Sequence, residues 1–168
     1  MSSGPERAAR FTIRAGRPAD AAQLLAVHRA SILALGPSAY SAAECESWAA
    51  GLVPEGYRKA MEDGETFFVA DRSDGTLAGF CSYKADEIVG LYVHPEAARQ
   101  GLGSGLMAQA ERAIAAAGHP AIRIRAALSA LPFYRSHGYQ ALGQRPWRTR
   151  GGLEITVADL IRPLPEPE

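Results

Sequence analysis

Few cysteines, no excess of either charge and no long apolar run close several roles to this chain of 168 residues. Its two cysteines, Cys45 and Cys81, are far apart and fit no CxxC or His/Cys metal spacing. Both sit in apolar segments, which reads as two reduced, packed thiols rather than a disulfide or redox pair. The 18 basic and 18 acidic side chains cancel, so the net positive field of a general nucleic-acid or anionic-membrane binder is missing. No apolar run approaches the ~20 residues that a membrane span needs, and the first residues, Met-Ser-Ser-Gly-Pro-Glu-Arg, carry no apolar stretch for secretion. These absences predict a cytoplasmic protein without nucleic-acid or membrane partners.

What is present suits one folded domain. Hydrophobic residues make up 47% and charged residues 21%, the balance of a globular protein rather than a disordered one. A domain of this size buries roughly 70% of the surface its unfolded chain exposes, so it needs no covalent staple. We expect a single domain over residues 10–162, a flexible N-terminus over 1–9 and a loose tail over 163–168, where three prolines crowd the last six positions. Phe11 to Ala15 alternates like a strand, and Arg17-Pro18-Ala19-Asp20 opens a helix with Leu24, Leu25, His28, Ile32 and Leu35 at three- and four-residue steps. Ser41-Ala42-Ala43-Glu44 has the form of a capping box for a helix carrying Trp48, and Pro54-Glu55 starts a third. Strands follow over 66–70 and 77–85, joined at Asp74-Gly75, and another ends at Val93. A helix from Gly101 to Ala117 places Leu102, Leu106, Ala110 and Ile114 on one side, with Gly118 as its cap. A strand over 121–127, a helix at Pro132 and a hairpin across Gly151-Gly152 complete a mixed α/β single sheet.

The most informative stretch runs from Glu87 to Met107, a strand followed by a glycine-rich turn and a helix. Gly101 and Gly103 let the backbone approach a ligand closely, and the first free N–H groups of the helix converge on one spot that suits a phosphate. A plain tight turn is the alternative. Two familiar phosphate loops are excluded: Leu106-Met107 stand where GxxxxGK[ST] needs a lysine and a hydroxyl, and Leu106 stands where G-x-G-x-x-G needs its third glycine.

The segments Leu91-Tyr92-Val93-His94-Pro95 and Ala98-Arg99-Gln100-Gly101-Leu102-Gly103 resemble the L-Y-V-x-P strand and [QR]-x-x-G-x-[GA] loop of the GNAT superfamily of N-acetyltransferases. A second run, Ala126 to Tyr139, is similar to that family's A-S-L-x-A-x-P-F-Y-x-x-x-G-[FY] segment. Ala98 and Ala127 depart from the usual Gln or Arg and the frequent serine; the likeness spans about residues 11 to 160. The resemblance implies a highly curved, mostly antiparallel sheet whose two central parallel strands splay apart, with acetyl-CoA as acyl donor in the gap and no metal. It further implies cofactor contacts from Leu91, Tyr92, Val93, Arg99, Gln100, Gly101, Leu102, Gly103 and Ser104, an oxyanion-binding amide near Leu91 to Val93, and a homodimer.

Moving an acetyl group from a thioester to an amine requires a neutral nucleophile, a polarised carbonyl and a proton for the departing thiolate. By resemblance, Tyr134 of the Phe133-Tyr134 pair supplies that proton; the bland alternative is a phenol that only packs, its hydroxyl satisfied by backbone. Glu87, at the start of the central strand, is the candidate base acting through water, or else a solvated strand end. His28 has an intrinsic pKa of ~6.5 and reads either as a second base and acceptor contact or as a core histidine. His94 and His119 read as structural and His137 as a solvated helix end. Tyr40, Trp48 and Trp147 suit either an acceptor pocket or the core. Arg148 and Arg150 face water or, alternatively, an acidic acceptor. The activity expected is N-acetyl transfer to a primary amine, in a small molecule or a protein, by direct attack within a ternary complex. A non-catalytic acyl-CoA-binding sensor or interaction module is the competing reading, permitted by Ala98 and Ala127.

Overall fold

The computed structural model describes residues 11–166. Seven strands form one sheet in the order β1-β2-β3-β4-β5-β7-β6. They are β1 (Phe11–Ala15), β2 (Thr66–Arg72), β3 (Leu77–Lys84), β4 (Glu87–Val93), β5 (Ala121–Ala127), β6 (Gln140–Arg148) and β7 (Glu154–Pro163). Five helices flank it: α1 (Ala21–Leu35), α2 (Ala42–Ala49), α3 (Pro54–Glu62), α4 (Leu102–Ala116) and α5 (Leu131–Ser136). The expected flexible N-terminus over 1–9 lies outside the described residues. β7 runs through Pro163, and the Leu164 amide still donates to the Pro120 carbonyl at 2.9 Å, so the chain stays attached past the point where a tail was expected.

Local chemistry explains two of the element boundaries. Ser41 Oγ accepts from the Glu44 amide at 3.1 Å while Glu44 accepts from the Ser41 amide at 2.9 Å, the reciprocal cap that starts α2. Asp74 Oδ1 accepts from the Thr76 amide at 2.9 Å and closes the β2–β3 turn.

Every neighbouring pair is antiparallel except β4 and β5. These two pair in parallel only at Glu87↔Arg123 and Ile88↔Ile124, then diverge. A bulge helps to open them: Ser82 pairs with Gly90 and Tyr83 with Ile88, which leaves Val89 without a partner on β3. One face of the sheet packs on α4 through Leu106, Met107, Ala110 and Ile114, all fully buried. The opposite face packs on α1 and α3 through Leu24, Val27, Tyr57, Phe67 and Phe80, and α2 adds Trp48 against Ile155 and Val157. Cys45 and Cys81 are buried free thiols in these layers. Among the described residues no helix is long and apolar enough to cross a membrane.

Candidate active site

The turn between β4 and α4 is built around two left-handed residues. Gly101, the N-cap of α4, has φ +78°, and Arg99 has φ +62°, a conformation that costs a non-glycine residue roughly 1–2 kcal/mol. Gly101 faces open space, so no neighbour explains its glycine. The Gly105 amide is taken by the Gly101 carbonyl at 3.2 Å, whereas those of Leu102, Gly103 and Ser104 open the helix and have no backbone acceptor among the described residues. Three free amides at the positive end of a 15-residue helix, beside the Arg99 guanidinium, make a fitting cradle for a diphosphate. His94 serves the turn, its Nδ1 accepting from the Glu96 amide at 3.2 Å.

Beyond this cradle, the divergence of β4 and β5 leaves a cavity of about 460 Å³. Arg99, Gly103, Leu91 to Val93, Ala127 and Tyr134 line it. Because β4 has no β5 partner past Ile88, amides on that edge are free to point into the gap. The Tyr134 hydroxyl has no hydrogen-bond partner among the described residues, unlike that of Tyr40, which donates to the Thr156 carbonyl at 2.7 Å and accepts from the Leu128 amide at 2.9 Å. Burial, reinforced by the neighbouring Cys81, Tyr92 and Tyr139, pushes the Tyr134 pKa well above the usual phenol value.

His137 is not the solvated helix end expected from sequence. Its Nδ1 lies 2.8 Å from the Phe133 carbonyl and its Nε2 2.9 Å from Ser104 Oγ, with Phe133 against its ring at 4.4 Å between centroids. In the neutral ring, Nδ1–H therefore donates to the carbonyl and Nε2 accepts the Ser104 hydroxyl. This pins the first turn of α4 to α5, and so the cradle to the helix carrying Tyr134. No spacing in the sequence links positions 104 and 137, which explains why it went unread.

A second cavity, about 270 Å³, lies on the α1–α3 side of the sheet. It shares Trp48, Val89, Gly90, Tyr92, Arg125 and Trp147 with the first, so the two meet at β4. His28 and Trp48 line it as expected, whereas Tyr40 lines neither cavity and sits behind Trp48 at 5.9 Å between rings. His28 Nδ1 is 2.8 Å from the Tyr57 hydroxyl, its ring lies 4.0 Å from that of Tyr92, and its buried Nε2 has no partner. Burial, with a smaller contribution from Arg150, pulls its pKa down to about 3. A histidine that stays neutral throughout the physiological range is too weak a base to take a proton from an ammonium group.

The candidate base lies away from both cavities. Glu87 lies where β4 and β5 are still paired, opposite Lys84 and beside Arg123, and lines neither cavity. The carboxylate that lines the second cavity is Glu65, in the bend before β2. Burial raises its pKa above the ordinary 4.5, the nearby charge of Glu87 adds to that, and Ser82 and Lys84 oppose it. Nothing in its local sequence marked it, because its partners come from β3 and β4.

Arg150 turns out to be a cavity-lining residue, while Arg148 is exposed and reaches only the Gly152 carbonyl at 3.3 Å. The Arg150 guanidinium donates to the Trp48 carbonyl at 2.7 Å and the Ala50 carbonyl at 3.1 Å. Gly151 seats the same turn on α2: its amide donates to the Ser47 carbonyl at 2.9 Å, and a Cβ there would come within 2.8 Å of Ser47 backbone atoms. Gly151→Ala should therefore cost about 1–3 kcal/mol in denaturant unfolding, the range for overpacking. Gly143→Ala, which meets nothing within 4 Å, should stay within about 0.5 kcal/mol. Equal effects of the two would show that this turn is not tightly seated.

The comparisons agree with this architecture. A family described as "Acetyltransferase (GNAT) domain" matches residues 37–156. A GCN5-related N-acetyltransferase from Rhodopseudomonas palustris, described also as a class-II aminotransferase, is 28% identical, with a TM-score of 0.85 over 93% of this chain and 97% of that one. The PaiA N-acetyltransferase from Thermoplasma acidophilum, solved in complex with coenzyme A, is 23% identical over 92% of this chain and 99% of that one, with a TM-score of 0.72. YncA from Salmonella typhimurium, solved with its cofactor acetyl-CoA, is 18% identical over 95% and 97% of the two chains, with a TM-score of 0.69. At these identities the last two show the fold alone. No curated protein matches the chain.

Proposed function

Because the chain belongs to the GNAT acetyltransferase family, we propose that it moves the acetyl group of acetyl-CoA to a primary amine by direct attack within a ternary complex. The observation that carries this reading is the meeting of two cavities at β4, one running from a phosphate cradle to an unpartnered phenol and the other holding a carboxylate. Fold neighbours that hold coenzyme A and acetyl-CoA support the choice of donor.

Acetyl-CoA supplies an activated acetyl thioester. The amides of Leu102, Gly103 and Ser104, with Arg99, hold its diphosphate. Gln100 and Gly101 shape that turn, and Leu91, Tyr92 and Val93 form the strand edge along which the pantetheine arm lies. A free amide on this edge hydrogen-bonds the carbonyl oxygen as negative charge develops there. Glu65, held at a raised pKa, takes a proton from the incoming ammonium; Glu87 tunes it through charge rather than by contact. Tyr134 keeps a proton for the sulphur. Burial that makes the phenol a weaker acid also raises the basicity of a thiolate formed beside it, so the two remain matched.

Gly103→Val tests the cradle. A Cβ at Gly103 would meet Phe133 and Val93 only at ordinary contact distances of 3.6–3.7 Å, so the fold accepts a side chain, but the added methyls enter the cavity. We expect acetyl-CoA affinity to fall ~10-fold or more by titration calorimetry, a loss of about 1.4 kcal/mol, with little change in melting temperature. Undiminished affinity would remove the cradle from the reading. If acetyl-CoA binds the wild-type protein but no amine stimulates thiol release, the binding-module alternative replaces catalysis.

A further inference from the structure

Several strand arginines find carboxylates: Arg14 reaches Asp20 and Asp71, Arg123 reaches Asp86, and Arg145 reaches Asp159. Arg125 and Arg150 do not. Arg125 lies over the Trp147 ring at 4.5 Å and has no hydrogen-bonding or acidic partner among the described residues. Arg150 is fixed by two backbone carbonyls, which leaves part of its guanidinium free. Its charge is felt at His28, Tyr57 and Tyr92, all on the wall of the second cavity. Two arginines on the wall of one small cavity, neither paired with a carboxylate, create a place where an anion is favoured.

We propose that the acceptor is a free amino acid with an apolar side chain, its carboxylate held by Arg125 and Arg150 and its amine directed toward Gly90 and Glu65. The inference rests on the transferase reading above and narrows its acceptor. Glu65 lies just before β2, and Ser82, Gly90 and Arg125 lie on β3, β4 and β5; Ser82 pairs with Phe67 on one side and Gly90 on the other, and all of them line the cavity. Three steps of ~4.8 Å separate β2 from β5 where the strands are paired, so the outer backbones are ~14 Å apart there and farther where β4 and β5 have parted. Glu and Arg side chains reaching inward from the two sides leave room for a small molecule with opposite charges at its ends. Trp48, Tyr57, Phe67 and Phe80 supply the apolar wall between them. An acceptor with positive charge alone, such as a polyamine, would meet two uncompensated cations, and the volume of about 270 Å³ suits one residue better than a peptide. In the transfer, the nitrogen bonds to the acetyl carbon and the C–S bond breaks. The ammonium gives one proton to Glu65 before attack; Tyr134 gives its proton to the departing sulphur, and the second proton lost from nitrogen returns through solvent to restore the phenol.

The test is thiol release from acetyl-CoA with leucine, methionine, phenylalanine and tryptophan, each compared with its amide and its decarboxylated amine. At least one free amino acid should exceed both of its analogues ~30-fold or more in kcat/KM, as expected for loss of a charge-assisted hydrogen bond. Arg125→Ala should shrink that ratio toward unity, mainly through KM, and Arg125→Lys should restore part of it. Equal or faster turnover of the analogues, or a ratio untouched by Arg125→Ala, overturns the inference. If calorimetry shows acetyl-CoA uptake but no free amino acid is acetylated, this inference fails while the transferase reading stands. Absence of uptake by folded protein removes the reading itself.

Discussion

Tyr134→Phe lowers turnover ~100-fold or more while leaving both cofactor affinity and stability nearly unchanged. The size follows from loss of a positioned general acid, which is worth roughly 10²–10⁴ in rate. Stability is spared because the hydroxyl makes no hydrogen bond to lose, and the ring keeps its packing with Tyr139 at 5.9 Å and Phe133 at 5.3 Å. The hydroxyl faces the first cavity rather than sealed protein, so its removal leaves no polar atom stranded and the variant should unfold at nearly the same denaturant concentration. A structural tyrosine would behave in the opposite way, with stability falling and turnover following it. The role can be isolated further with acyl donors whose leaving thiols are more acidic. The deficit of the variant should shrink as the thiolate needs its proton less. The phenol remains protonated well past pH 10, so Tyr134 contributes no alkaline decline in rate below that point. A deficit independent of the leaving group would exclude the acid role.

The second large effect concerns acid stability. His28 has a folded pKa of about 3 against an ordinary value of 6.5. As pH falls through this window the unfolded chain takes up the proton first, so the stability present above pH 6.5 is lost progressively down to about 3. The slope approaches ~1.4 kcal/mol per pH unit in the middle of that range. Few other groups share the window. Asp20, whose carboxyl is held below the usual 3.8 chiefly by hydrogen bonds from Arg14, contributes only at lower pH. Glu65 acts in the opposite sense, because a raised carboxyl pKa makes the folded chain bind its proton first. Urea unfolding of wild type and His28→Asn between pH 8 and pH 4 checks the assignment. The variant should be less stable at pH 8, since the smaller side chain leaves a void against Tyr92 and Phe80, yet its stability should change less with pH. Parallel curves for the two proteins would show that His28 does not set the acid limb.

The legible parts of the site were those held together by neighbours along the chain. The turn from Arg99 to Ser104 needs glycine for its left-handed backbone and for close approach, and both demands are written into six consecutive positions. The place of Tyr134 beside the first cavity was legible because Pro132-Phe133-Tyr134 lies in one short helix next to β5, within the family-like run. Whether Glu87 meets a cavity was not legible: its position on β4 is local, but the outcome depends on where β4 and β5 part. That point lies just after Ile88, so Glu87 stays in the paired region. Glu65, Arg125, Arg150 and the Ser104–His137 contact were missed because each gains its meaning from partners far along the chain. Arg150 reaches the carbonyls of Trp48 and Ala50 across about a hundred positions.

Periodicity, caps, turns and two ordered family-like segments therefore made the αβ architecture and the glycine turn at the head of α4 legible from sequence alone, since backbone conformation and amide direction are properties of consecutive residues. The second cavity was decided only by tertiary structure. There the side chains that converge come from α1, α3, the bend before β2, β5 and the β6–β7 turn, and their charges are set by burial and by one another.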